Sequence, residues 1–132
     1  MNKAILRRIG TAVLGKIYAL GKRAIAKDGE VYELGEVVVG KGVSCTISGK
    51  CNAIVETGAS AIVETGGYAS VCDGASATVK NGALAYVCDG AIATVEKGGC
   101  AYVENGGSIK AEPGAIIMRA ERGAIVNGKV TE

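Results

Sequence analysis

Residues 53–116 read AIVETGAS AIVETGGY ASVCDGAS ATVKNGAL AYVCDGAI ATVEKGGC AYVENGGS IKAEPGAI, a unit of eight residues that recurs without interruption. One column of this register is always glycine, and we assign it to the corners of the repeat: Gly58, Gly66, Gly74, Gly82, Gly90, Gly98, Gly106 and Gly114. A second column holds valine from Val55 to Val103, and a third holds alanine from Ala53 to Ala101. A fixed period of this kind is the signature of a repeat architecture.

The inward side of each unit is predicted by spacing. The alanine column, the valine column and a column of alanine or glycine after each corner lie two residues apart. In an extended chain such residues point to the same side, so one side of every strand is small and apolar. Each unit therefore predicts a strand of about six residues and a two-residue corner, where glycine supplies the positive φ of the bend.

Corners such as Asp-Gly and Asn-Gly also signal β-hairpins, so an antiparallel meander is an alternative. In a meander, the inward-facing residues would change between odd-numbered and even-numbered positions at every repeat. Here the valine and alanine columns stay at odd-numbered positions throughout. The pattern therefore favours a β-solenoid or a trimeric β-helix (prism). One coil of such a fold would consist of two or three octapeptide units. The alternation of Thr78, Tyr86, Thr94 and Tyr102 favours two.

Composition argues against catalysis. The chain has 132 residues with 21 glycines and no histidine, tryptophan or phenylalanine. Histidine is the commonest general base and metal ligand, and the five cysteines form no CxxC pair. We therefore expect no catalytic, cofactor-binding or metal-binding residues, and we interpret the cysteines as free thiols of a reducing compartment.

Charge separates a basic head from the body. Residues 1–30 carry a net charge of +5 and residues 31–132 a net charge of −3. Apolar residues recur at helical spacing in the head and are the candidate anchor: Ile5, Ile9, Val13, Ile17 and Leu20. This spacing predicts a basic amphipathic α-helix over residues 1–29. The helix could dock on a protein partner, pack on its own body or lie on a membrane surface.

The remaining boundaries follow the repeat. Residues 30–52 are rich in valine and glycine with looser spacing, and we assign them to the N-terminal start of the β structure. The octapeptide array covers residues 53–120. Beyond it, Gly123 comes one residue late, and because terminal repeats usually deviate, residues 121–132 are predicted to form a cap.

Several outward residues could carry chemistry. Cys72 and Cys88 have identical Val-Cys-Asp-Gly contexts sixteen residues apart, close enough in two-unit coils for a disulfide or a thiol ladder. Five glutamates share one position of the unit, which we interpret as a solvated row: Glu56, Glu64, Glu96, Glu104 and Glu112. Thr78 and Thr94 alternate with tyrosines, which argues against the flat threonine array of an ice-binding solenoid.

The octapeptide spacing with Val-x-x-Gly in each unit, as in Val63-Glu64-Thr65-Gly66, resembles the octapeptide β-helices of bacteriophage tail spikes and of the spikes of bacterial contractile injection systems. The resemblance covers residues 55–120. It implies three chains wound into a stiff prism, in which each octapeptide supplies one side, and a mechanical function. The sequence is also similar to short-repeat solenoids of bacterial adhesins and polymer-forming cytoskeletal proteins.

We therefore expect an all-β fold, an octapeptide-repeat β-solenoid or trimeric β-helix with an N-terminal α-helix. The expected function is non-enzymatic, that of a short virion spike or fibre anchored to a larger phage particle. Its expected partners are two further copies in a homotrimer and other virion proteins bound through residues 1–29, with no specific nucleic acid, and a membrane is the less favoured contact. The alternative is a bacterial polymer-forming or adhesin-like β-solenoid, in the cytoplasm or at the cell surface.

Overall fold

The computed structural model describes the backbone of residues 16–132 and the side chains of residues 25–132. This part of the chain contains thirteen β-strands and no helix, which confirms the all-β prediction. The strands are β1 (Lys16–Ile25), β2 (Val31–Val39), β3 (Ser44–Val55), β4 (Ser60–Val63), β5 (Tyr68–Val71), β6 (Ser76–Val79), β7 (Leu84–Val87), β8 (Ile92–Val95), β9 (Cys100–Val103), β10 (Ser108–Ala111), β11 (Ile116–Ala120), β12 (Ile125–Val126) and β13 (Lys129–Val130).

Each strand of the array pairs in parallel with the strand two further along the chain. Ala53 lies beside Ala69 and Ala69 beside Ala85, so the register advances by 16 residues per coil. Two octapeptides therefore make one coil of a flattened β-solenoid, with about six coils in all. The parallel pairing excludes the meander. Because one chain closes each coil by itself, the three-unit coil and the intertwined three-chain prism do not describe this fold.

The coil has two outward faces. The hydroxyl face is the outer surface of the first part of β3 and of β4, β6, β8 and β10. The tyrosine face is the outer surface of the last part of β3 and of β5, β7, β9 and β11. Strand β3 contributes to both because it runs through the corner at Gly49, and so it crosses the boundary predicted between residues 52 and 53.

The core is the thin space between the two faces. Every valine of the column from Val55 to Val103 is completely buried, and the alanines of the neighbouring column are buried as well. Burial of a valine side chain is worth about 1.5–3 kcal/mol, so the repeated column is the main source of stability. The largest fully buried side chains, Tyr32 and Ile47, lie near the N-terminal end, and Ile109 is buried near the C-terminal end.

The eight corner glycines all have a positive φ, between +78° and +93°. At the first of these corners the N–H of Ala59 donates to the carbonyl oxygen of Glu56 over 2.9 Å, and Gly58 is the third residue of the turn with φ +82°. This geometry is that of a type II turn. The corners also bond to one another along the solenoid, because the N–H of Gly58 donates to the carbonyl oxygen of Gly74 over 3.1 Å.

The structure describes the backbone of the N-terminal head only from Lys16 onward. Lys16–Ile25 forms strand β1, which pairs in parallel with β2. This pairing satisfies backbone N–H and C=O groups along the edge of β2. The candidate anchor residues Ile5, Ile9 and Val13 lie outside the described residues, and their helix stays a prediction.

A β-bulge explains the late glycine at the C-terminal end. The pairing of β11 with β9 shifts by one residue between Ile117 and Arg119, so Met118 is the additional residue. From there on the register advances by 17 residues, and the N–H of Gly106 meets the carbonyl oxygen of Gly123 at 3.2 Å. Strand β13 then turns back and pairs antiparallel with β12.

Candidate functional surfaces

The two faces separate hydroxyl groups from tyrosines. Thr78 lies beside Thr94 on the hydroxyl face, and Tyr86 lies beside Tyr102 on the tyrosine face. Residues sixteen positions apart are therefore neighbours within one face, whereas residues eight positions apart lie on opposite faces. The interpretation that tyrosines interrupt the threonine array is wrong for this reason.

The hydroxyl face carries a shallow groove of about 230 Å³. Its outward residues are Ser60, Ile62, Ser76, Thr78, Ile92 and Thr94. Two isoleucines interrupt the hydroxyl groups, and they are the exposed apolar side chains of this face: Ile62 is 38% exposed and Ile92 is 59% exposed. The groove is thus open and only partly polar.

The tyrosine face carries a stack of side chains along the solenoid axis. The rings of Tyr86 and Tyr102 lie 4.8 Å apart with an angle of 10° between their planes, and the guanidinium carbon of Arg119 lies 5.9 Å from the centre of the Tyr102 ring. Such stacking and cation–π contacts favour a fixed side-chain arrangement. The sixteen-residue spacing of the tyrosines was the sequence signal for this stack. The position of Arg119 beside Tyr102 could not be predicted, because the β-bulge shifts the register by one residue.

Carboxylates hold the tyrosine hydroxyls. The hydroxyl of Tyr86 donates to Oε2 of Glu104, and the hydroxyl of Tyr102 donates to Oε2 of Glu121 over 2.9 Å. Each hydrogen bond to a carboxylate raises the pKa of its tyrosine above the ordinary value. Both phenols are therefore neutral donors at physiological pH.

The fold divides the five glutamates between the two edges of the solenoid. Glu64, Glu96 and Glu112 follow strands of the hydroxyl face, and Glu56 and Glu104 follow strands of the tyrosine face. Lys80 stands between Glu64 and Glu96, and its Nζ lies 3.6 Å from Oε1 of Glu96. The predicted single row of carboxylates is therefore two mixed rows.

The five cysteines are free and fall into two groups. Cys45 and Cys51 are buried in the core beside Tyr32, and burial raises the pKa of each of these three groups to about 12. Cys72, Cys88 and Cys100 are half-exposed on the tyrosine face. Burial raises the pKa of Cys72 and Cys88, and the charges of Glu56 near Cys72 and of Glu104 near Cys88 raise it further.

Within the described residues, no three or more cysteine, aspartate or glutamate side chains come together as a metal site would require. No helix among them is long and apolar enough to cross a membrane.

Comparison with known proteins gives little. No protein-family model matches the chain, and no curated protein matches it. Among solved structures, the crystal structure of a TibC-catalysed, hyper-glycosylated TibA fragment (TibA55-350) matches with 20% identity and a TM-score of 0.40. The match covers 84% of this chain and 54% of that chain, so the chain spans about half of its length. At this identity and TM-score the likeness carries no argument about function, and it is not a match to a phage spike.

Proposed function

We propose that the chain is a non-enzymatic structural protein, a rigid β-solenoid of the bacterial polymer-forming or adhesin-like kind, which joins to a second copy of itself at the edge of β11. The observation that carries this proposal is that β11 pairs with β9 on one side and with no other strand of residues 16–132. A strand edge of this kind presents backbone N–H and C=O groups with which another chain can pair.

Apolar side chains on the same strand support the proposal. Ile116 is 50% exposed and Met118 is 61% exposed, and both belong to β11. Removing apolar surface from water favours association by about 25 cal/mol for each Å² buried. A second copy that placed a strand along β11 would cover these side chains. It would also continue the stack of parallel strands at the usual distance of about 4.8 Å between strands.

The regular surface supports the non-enzymatic part of the proposal. Along the hydroxyl-face edge, the charges of Glu64, Lys80 and Glu96 alternate in sign at successive coils. Exposed ion pairs of this kind contribute at most about 1 kcal/mol to stability. These three residues lie at a solvated edge of the solenoid. What the repeat builds is a rod with two distinct outer faces.

The test is the mass of the particle in solution as a function of concentration, with negative-stain images of the same samples. The double variant Ile116→Lys, Met118→Lys places two charges on β11 and is expected to weaken self-association at least tenfold. The matched control is Ile92→Lys, which charges an isoleucine of similar exposure on the hydroxyl face and is expected to leave association unchanged.

The virion spike anchored through residues 1–29 and the homotrimer stay predictions. The same measurement distinguishes them from the proposed association at β11. Dimers or filaments that depend on Ile116 and Met118 would support the proposal. A three-chain particle that is indifferent to the double variant would favour the trimeric spike. A monomer at all concentrations would contradict both forms of association.

A further inference from the structure

Cys72 and Cys88 occupy equivalent positions on adjacent coils. Each follows the last residue of its strand, and the two preceding valines, Val71 and Val87, are paired in register. The N–H of Cys88 donates to the carbonyl oxygen of Val71 over 3.0 Å, and the N–H of Cys72 bonds in the same way to Val55 over 2.9 Å. The two cysteines therefore have the same backbone environment, one rung apart.

This spacing suits a disulfide. Strands of a sheet lie about 4.7–4.9 Å apart, and disulfides join Cα atoms that are about 4.4–6.8 Å apart. The local backbone is also alike at both sites, because each carbonyl oxygen accepts a turn hydrogen bond, from Ala75 at 2.9 Å and from Ala91 at 3.0 Å. The Cα spacing of adjacent coils therefore lies within the range that a disulfide spans.

The other cysteines provide a comparison within the same molecule. Cys100 is also half-exposed on the tyrosine face, but its neighbours in register are Leu84 and Ile116. Cys45 and Cys51 are 4% and 0% exposed inside the core. Of the five cysteines, only Cys72 and Cys88 are both accessible and adjacent to another cysteine on the next coil.

We propose that Cys72 and Cys88 form a cross-linking site, which takes a low-molecular-weight disulfide as its co-reactant and becomes an intrachain disulfide that fastens two adjacent coils together. One protein thiolate attacks the small disulfide, which breaks its S–S bond and releases one small thiol. The second protein thiolate attacks the protein sulfur of the mixed disulfide and releases the other small thiol. Two protein thiols are oxidised, and one small disulfide is reduced to two thiols.

The test is incubation of the folded, reduced full chain with oxidised glutathione at about pH 8.5, where the thiolate that performs the exchange is more populated. Remaining thiols are then alkylated and the protein is digested with trypsin, which cuts at Lys80 between the two cysteines. We expect one product in which the peptides containing Cys72 and Cys88 are joined, and a glutathione adduct on Cys100.

Three variants keep the result interpretable. Cys100→Ser should lose the adduct and keep the cross-link, whereas Cys72→Ser should leave a stable glutathione adduct on Cys88, and Cys88→Ser one on Cys72. The proposal is overturned if the wild-type chain carries glutathione on both cysteines without a cross-link. It is equally overturned if Cys100 reacts and the pair does not, or if either member of the pair bonds to Cys100 or to another chain.

Discussion

At the scale of single residues, the corner glycines are required for two separate reasons. All eight have a positive φ, which side-chain-bearing residues rarely adopt. Some are also pressed by the neighbouring coil: a Cβ on Gly66 would overlap the carbonyl oxygen of Gly49, and a Cβ on Gly90 would overlap Oδ1 of Asp73. By contrast, nothing lies within 4 Å of a Cβ on Gly42.

A pair of alanine substitutions separates these two causes. Gly42 and Gly66 have nearly the same φ, +82° and +85°. Gly42→Ala should therefore lower the free energy of unfolding by about 1–2 kcal/mol, the cost of the left-handed backbone alone. Gly66→Ala should cost at least twice as much, because a backbone oxygen cannot swing aside. Urea unfolding measures both, and equal losses would show that contact between coils is unimportant at the corners.

Stability should also fall at high pH. The pKa values of Tyr32, Cys45 and Cys51 are raised by burial to about 12, from ordinary values of 10 for tyrosine and 9 for cysteine. Below pH 9 both the folded and the unfolded chain hold these protons. Only the unfolded chain releases these protons between pH 9 and 12 for the two cysteines and between pH 10 and 12 for Tyr32. Within its window each group decreases the free energy of unfolding by up to about 1.4 kcal/mol per pH unit.

Urea unfolding of the reduced protein at a series of pH values from 8 to 10.5 measures this decrease. The variant Cys51→Ala removes one of the three groups and should show a shallower decline than the wild-type chain. A flat profile over this range would mean that the three groups titrate alike in both states.

At the scale of the elements, the sequence predicted the strands and corners but left the coil size open. The first seven octapeptides have the same inward alanine and valine, so a stack with two units per coil buries the same columns as one with three. Only outward residues distinguish the two arrangements, and Tyr86 and Tyr102 are such residues. Their stacking at 4.8 Å is what two-unit coils produce.

The candidate surfaces were harder to predict than the fold. The sequence placed Glu56 and Glu64 in one row because they share a position in the unit, but a two-unit coil sends them to opposite edges. The partner of Arg119 could not be predicted because the bulge at Met118 shifts the register.

A deletion tests the two-unit coil directly. Removal of residues 60–75 joins Ala59 to Ser76, which has the same place in the next coil as Ser60. We expect a folded chain with one coil fewer and a smaller dependence of the unfolding free energy on denaturant, because less surface is exposed on unfolding. Circular dichroism with urea unfolding measures both.

The control removes residues 60–71. This deletion keeps the inward parity but places the corner glycines out of line with those of the preceding coil. We expect this variant to unfold at a lower urea concentration than the sixteen-residue deletion, because residues 72–75 must leave the stack as an additional loop at one corner. If this variant folded as well as the sixteen-residue deletion, the corners would not determine the stacking.

At the scale of the whole molecule, the C-terminal end is closed on one face and open on the other. Strand β13 covers the outer edge of β12, and the N–H of Gly123 donates to the carbonyl oxygen of Thr131 over 2.8 Å. Because β13 runs antiparallel, it interrupts the parallel stacking on the hydroxyl face. On the tyrosine face β11 has no such cover among the described residues.

Removal of residues 127–132 should therefore increase self-association, because it uncovers the edge of β12 beside that of β11. We expect a larger mean mass at a given concentration in sedimentation experiments. Val130→Lys retains the hairpin and is the matched control, for which we expect no increase. An unchanged mass after truncation would mean that β13 does not act as a stop.

The direction of the hydrogen bonds between coils has a mechanical consequence. These bonds run along the rod from one coil to the next, as from Gly58 to Gly74. A pull on the two ends therefore stretches successive interfaces in series, so the weakest interface gives way first and a terminal coil can peel away alone. A push along the rod instead compresses strands that are already in contact. A rod of this construction bears compression far better than tension.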